Sequence, residues 1–214
     1  LTITVTGIND APVATNDTGS VNEDATLSVS NGSGDIIDNN DTDADDSASL
    51  VVSAVRIGGV EGSGNAGTVG QALTGTYGQL TLNANGSYSY VANQDAADDL
   101  DASDQVTDVF NYTLSDGTAT DTATITITVT GINDAPVADN ETGAVNEDAT
   151  LTVTDGTSDV LHGDTDADDS ASLTVSAIRT GAEDGSGTSG SIGSGLTGTY
   201  GTLTLASDGT YTYV

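Results

Sequence analysis

TATITITVTGINDAPVA, Thr122 to Ala138, is the stretch on which the reading turns. In its first nine residues Ala123, Ile125, Ile127 and Val129 fall on one side, and Thr122, Thr124, Thr126, Thr128 and Thr130 on the other. That is the period of a β-strand with one buried and one wet face. The strand then runs into a short connector, GINDAP, whose proline fixes the local backbone.

Working outward, VTGINDAPVA at Val5 to Ala14 returns letter for letter at Val129 to Ala138, an offset of 124 residues. DTDADDSASL at Asp41 to Leu50 returns at Asp164 to Leu173 with offset 123, one residue being lost where DNNDTD becomes HGDTD. The repeat is therefore a domain-sized unit. The expected organisation is residues 1–9 as the last strand of a preceding repeat plus linker, 10–133 as a complete repeat, and 134–214 as a second repeat cut before its last strands.

Within the complete repeat, short apolar-alternating runs are separated by turn residues, with no helical periodicity. Strands are expected at Thr26 to Ser30, Ser49 to Ile57, Gly78 to Leu82, Ser87 to Val91, Val109 to Leu114 and Thr122 to Thr130. Asn85-Gly86 and its counterpart Asp208-Gly209 predict tight hairpins with a type I′ turn. Gly58 to Gly75 and Gly181 to Gly198 are expected to be mobile surface loops. The fold class is all-β, with one buried and one wet face per strand as in a sandwich.

Composition removes many functions. The chain has 33 acidic residues, two arginines, no lysine, no cysteine, no methionine and no tryptophan, for a formal charge of -31. Schiff-base lysine chemistry, P-loop phosphate binding, thiol catalysis, disulfides, zinc-thiolate sites and lysine-derived isopeptide links are excluded. So acidic a surface repels phosphate backbones and anionic lipid, so neither nucleic acid nor membrane is expected as a partner. No apolar run reaches membrane-spanning length, and Leu1 opens directly in a strand-like LTITVTG, where no signal peptide is expected. His162 has no counterpart in the first copy, which leaves no repeated histidine chemistry. Paired carboxylates without tryptophan make a poor glycosidase site. No catalysis is expected.

The carboxylates carry the chemistry. Asp41, Asp43, Asp45 and Asp46, and in the second copy Asp164, Asp166, Asp168 and Asp169, gather hard oxygen donors into one loop, the donor set that Ca²⁺ prefers. An EF-hand is excluded, because Asp46 stands at its glycine position and Val52 at its closing glutamate. Unpaired carboxylates at this density repel one another, and from Ala11 to Asp134 there are 19 acidic residues and one arginine, a net -18. Each Ca²⁺ bound would remove two units.

GINDAP resembles the cadherin linker motif, DTDADD resembles the cadherin DxD motif about thirty residues beyond it, and NED at Asn22 to Asp24 resembles the early-strand glutamate. With NEDATL, YGQLTLNANGSYSYV and FNYTLSDGTATDTATITITVTG, the chain resembles VCBS repeats, the bacterial cadherin-like modules of large type I-secreted RTX adhesins and biofilm proteins. The resemblance implies tandem Ig-like or cadherin-like β-sandwich repeats with Ca²⁺ at domain junctions. Asn133 and Asp134 would share ions with Asp164, Asp166 and Asp168, with Glu23 contributing, and Asn9 and Asp10 would act with Asp41, Asp43 and Asp45. Glu147 is the counterpart of Glu23. The first aspartate of the cadherin linker is missing, and the DRE motif has no clear counterpart, its role falling to Asp98, Asp99 and Asp101. The implied function is a calcium-stiffened extender on a bacterial surface. Its partners would be neighbouring repeats. A repeat that polymerises into an extracellular fibre by strand exchange, and a glycan- or protein-binding module, stand as alternatives.

Overall fold

A computed structural model describes residues 1–32, 34–38, 40–45, 48–154, 156, 158–168, 170–182 and 185–214. The chain divides into two compact units, Leu1–Asn133 and Asp134–Val214.

The first unit contains β1 (Asp17–Asn22), β2 (Thr26–Val29), β3 (Val51–Ile57), β4 (Ala72–Thr74), β5 (Gln79–Leu82), β6 (Tyr88–Val91), a four-residue helix α1 (Asp95–Asp98), β7 (Gln105–Ser115) and β8 (Thr120–Thr130). They form two four-stranded sheets, β1-β8-β7-β3 and β2-β6-β5-β4, and the unit is a β-sandwich, the class the alternation predicts. The inward residues of β8, Ala123, Ile125, Ile127 and Val129, are essentially fully buried. They meet Phe110, Tyr112 and Leu114 of β7, and Leu80, Leu82, Tyr88 and Tyr90 of the facing sheet. Each large aliphatic side chain so buried is worth about 1.5–3 kcal/mol. Tyr90 and Phe110 meet edge to face across the core at 6.4 Å.

Several elements depart from the sequence reading. β1 shows little alternation, yet it pairs in parallel with β8 from Asp17↔Ile125 to Asn22↔Thr130. Tertiary context makes this strand: β8 offers a free edge, and Gly19 lets the backbone in, since a Cβ there would lie 2.8 Å from Ile127 Cδ1 and from Leu27 Cδ2. The glycine-rich segments are not wholly loops. Leu73 pairs with Leu80 in the β4–β5 ladder, and Arg56 bridges Ala66. LTITVTG forms no strand, and Leu1, Ile3 and Val5 are exposed. Alternation supplies only a face, whereas its copy inside β8 has β1 and β7 as ladder partners.

At Asn85-Gly86 only the glycine has positive φ, at 87°, so the turn is not type I′. Asn83 N–H bonds the Ser87 carbonyl and Gly86 N–H the Asn83 carbonyl, which makes a three-residue loop with glycine in the left-handed position. The Asn85 side chain explains the change: its Oδ1 accepts from Ser87 Oγ at 2.8 Å, bonding forward along the chain.

Asp108 of β7 is buried and accepts from the Thr76, Tyr77 and Gly78 amides at 2.8, 3.0 and 3.2 Å and from the Tyr90 hydroxyl at 2.6 Å. A carboxylate without a cation is thus held by the β4–β5 turn, stitching one sheet to the other.

The second unit contains β9 (Leu151–Val153), β10 (Ile178–Arg179), β11 (Ser189–Gly190), β12 (Gly195–Thr197), β13 (Thr202–Leu205) and β14 (Tyr211–Tyr213). Its sheet β12-β13-β14-β9 repeats β4-β5-β6-β2, and β10 pairs with β11. Here too the glycine-rich stretch supplies strands, β11 and β12.

Removing the Tyr90 hydroxyl (Tyr90→Phe) leaves Asp108 with one donor fewer and should lower stability by about 1.5–3 kcal/mol in denaturant titration. Burial, foremost, pushes the phenols of Tyr88, Tyr90 and Tyr112 up, with nearby aspartates adding to it. Because the folded phenols hold their protons to higher pH than unfolded ones, this stability is complete below about pH 10 and is lost as pH rises beyond it. Denaturant midpoints measured up to strongly alkaline pH should be flat and then fall.

Candidate metal sites

At the incoming end of the first unit, the chain after the GINDAP connector is pinned to the DTDAD loop. Val13 and Thr42 form a two-bond bridge, at 2.8 and 3.1 Å. Thr42 and Ala44 point outward while Asp41, Asp43 and Asp45 are half-buried, so the alternation of the sequence turns three carboxylates to one side. Asp10 N–H donates to Asp45 Oδ2 at 3.0 Å, Asp45 N–H to Asp43 Oδ1 at 2.8 Å, and Thr15 N–H to Asp41 Oδ1 at 2.7 Å.

The second unit repeats this arrangement. Asp134 N–H donates to Asp168 Oδ2 at 3.0 Å, Asp168 N–H to Asp166 Oδ1 at 3.1 Å, and Asp139 N–H to Asp164 Oδ1 at 2.9 Å. Val137 bridges Thr165. Recurrence in two copies that differ elsewhere ties the geometry to the shared residues and not to their surroundings.

In each copy a carboxylate is half used. Asp43 Oδ1 orients the loop while its Oδ2 is buried without a hydrogen-bond partner; Asp168 Oδ2 holds the Asp134 amide while its Oδ1 is buried without one. A dry, unsatisfied carboxylate oxygen is costly. A hard cation would satisfy it.

Further carboxylates stand around the loop that sequence reasoning did not single out. Asp116, in the β7–β8 hairpin, accepts the Asn9 side-chain amide at 2.9 Å. The Ala119 amide first, and then Asn9, hold it below the usual carboxylate range. Asp121 accepts the Ala14 amide at 2.9 Å. Asp41 is pushed up, by burial foremost, against hydrogen bonds from Thr15 and Tyr112. The Tyr112 hydroxyl lies 2.9 Å from Asp17 Oδ2, 2.9 Å from the Thr15 carbonyl and 3.4 Å from Asp41 Oδ2.

In the second unit Asp139, Glu141 and Asp164 bring one oxygen each within 4.8 Å of one another. The signal was present in the alignment of the copies, where Thr15 becomes Asp139 and Asp17 becomes Glu141. Asp139 foremost pushes the exposed Glu141 carboxyl up.

Glu23 lies apart from the DTDAD loop. It is fully buried at the β1–β2 corner; its N–H donates to the Thr130 carbonyl at 2.9 Å and its Oε1 accepts the Ile132 amide. This places it beside the outgoing chain next to Asn133. The segment Asp101–Asp104 is there as well, since Ser103 N–H bonds the Gly131 carbonyl and Gly131 N–H the Asp104 carbonyl. Asn9, Asn133 and Glu147 are exposed. Asp46 and Asp169 lie outside the described residues.

The sequence profile of the bacterial cadherin-like domain matches residues 9–131 and 133–214. The chain belongs to the bacterial cadherin-like domain family. No curated protein matches the sequence. Membership makes the two units cadherin-like repeats of adhesin type, suited to an extracellular or surface protein, in a family typically structural and often calcium-binding. No helix among the described residues is long and apolar enough to cross a membrane.

Asp139→Asn should bring the Glu141 titration midpoint down toward that of an ordinary glutamate in calcium-free buffer, read by carboxyl-carbon NMR. An unchanged midpoint would contradict the coupling.

Proposed function

We propose that each repeat is a non-catalytic extender module whose acidic poles take up Ca²⁺, making a tandem array stiff enough to project the distal adhesive region of a bacterial surface or biofilm protein. The carrying observation is the buried, unpartnered oxygen of Asp43 and of Asp168 on carboxylates tied to the adjoining connector or loop backbone. Asp41, Asp43, Asp45 and Asp10 supply oxygens in one repeat, and Asp164, Asp166, Asp168 and Asp134 in the next; Asn9, Asn133, Asp46, Asp169, Glu23 and Glu147 complete the proposed set. The chain's own residues do the mechanical work: the Asp10 and Asp134 amides already fix the connector to the loop, and neutralising the loop removes the repulsion that works against this contact.

The net charge of -31 favours the same reading. A chain this acidic opposes its own compaction, and divalent cations relieve that. Affinities typical of extracellular modules, on the order of 10⁻⁴ to 10⁻³ M, suit a surface protein that meets millimolar calcium.

Small-angle scattering and thermal melts of the full chain test the proposal. Millimolar Ca²⁺ should raise the melting temperature and narrow the distribution of particle lengths, and excess chelator should reverse both. At a free concentration of about ten times Kd, which millimolar Ca²⁺ reaches at the tighter end of that range, binding adds about 1.4 kcal/mol to the native state. Asp43→Asn with Asp166→Asn should weaken calcium binding at least about tenfold. Identical curves with and without calcium would overturn the assignment. Growth of the particle with protein concentration would support the fibre reading instead, and saturable glycan binding the ligand-module reading.

A further inference from the structure

An extender transmits tension, and the sheet topology shows where tension would go. The chain enters the first unit ahead of β1 and leaves it after β8. These two strands are neighbours, parallel, and in register over six residue pairs from Asp17↔Ile125 to Asn22↔Thr130. In a parallel pair the start of one strand and the end of the other lie at opposite ends of the ladder. Pulling on both therefore slides the strands along each other, loading every rung at once, whereas pulling on the same end of each would break the rungs one by one.

The geometry points to the β1–β8 ladder as the mechanical clamp of the repeat, stitched at both ends so that tension passes through it and bypasses the other strands. At the incoming end Val13 is bridged to Thr42, the Ala14 amide is held by Asp121 at the start of β8, and the Thr124 amide of β8 donates to Asn16 Oδ1 at 2.9 Å. At the outgoing end Glu23 extends the ladder by one rung, its N–H bonding the Thr130 carbonyl. Its side chain then takes the Ile132 amide. Behind the ladder, Ile125, Ile127 and Val129 are fully buried, so sliding also drags apolar side chains out of a packed core. The Gly58 to Gly75 stretch with β4, and the small helix, lie off this path.

The inference deepens the extender reading and rests on it for its use in the cell; the clamp itself follows from topology and needs no metal. Resistance to pulling is a rate property, set by the barrier along the pulled direction and not by equilibrium stability. Two directions through one molecule should therefore give different unfolding forces.

The absence of cysteine lets introduced pairs define the axis. In the full chain, single-molecule handles on Val13→Cys and Ile132→Cys load the ladder in shear. Handles on Thr18→Cys and Thr126→Cys, a facing pair, peel it open. The expected result is an unfolding force several-fold higher along the first axis, retained in excess chelator. Equal forces along both axes in calcium would overturn the clamp. A difference present in calcium and abolished by chelator would also overturn it, placing the strength in bound metal and leaving the extender reading intact. A difference that persists while scattering shows no calcium effect would support the clamp and sink the calcium-stiffened extender. Melts of both variants against the unsubstituted chain confirm that each pair is measured on the folded sandwich.

Discussion

Carboxylates without countercharge constrain everything else in this molecule. Thirty-three acidic side chains share the chain with two arginines and one histidine, so most buried acids have no internal cation to neutralise them. The fold meets the constraint with backbone amides and phenols. Asp35 accepts from the Gly32, Ile37 and Asp38 amides, and Asp159 from the Gly156 and Leu161 amides. Asp108 takes three amides and a tyrosine hydroxyl. Each acid fixes a turn while being solvated by it, which is how a chain without tryptophan, disulfides or lysine holds its loops.

The same device fails to close at the DTDAD loops. Amide donors run out before carboxylate oxygens do, leaving Asp43 and Asp168 each with a dry oxygen. Asp35, Asp108 and Asp159 are satisfied from backbone amides and a phenol, whereas the DTDAD loops leave oxygens that a hard cation would satisfy. Membership in the bacterial cadherin-like family makes calcium the natural candidate.

Much of this was legible from residues. The strict Ala-Thr-Ile-Thr alternation of β8 fixed its buried face, because a strand packed on one side leaves no freedom in which side chains point inward. The internal repeat marked the DTDAD loops, the cadherin resemblance added Asp10 and Asp134 to them, and the structure hydrogen-bonds each connector amide to its loop in both copies. β1 was not legible, since a short strand containing glycine exists only because β8 presents an edge and a close approach is possible at Gly19. LTITVTG illustrates the reverse, with ideal alternation and no ladder. Asp116, in a hairpin turn, and Asp121, at the start of β8, were missed because nothing local in the sequence says that this end of the hairpin lies against Asn9 and Ala14. The small helix α1 was missed because four residues carry no periodicity.

The central claim is that cations go to the carboxylates that hold the connector. Amide-resolved NMR of the full chain during calcium titration tests it most directly. The account predicts that the Asp10, Asp43, Asp45, Asp134, Asp166 and Asp168 amides shift first and saturate together, while those of the Asp35 and Asp159 turns, already satisfied by backbone, stay in place. Shifts spread evenly over all acidic residues, or led by the interior turns, would contradict it and reduce the loops to plain acidic surface.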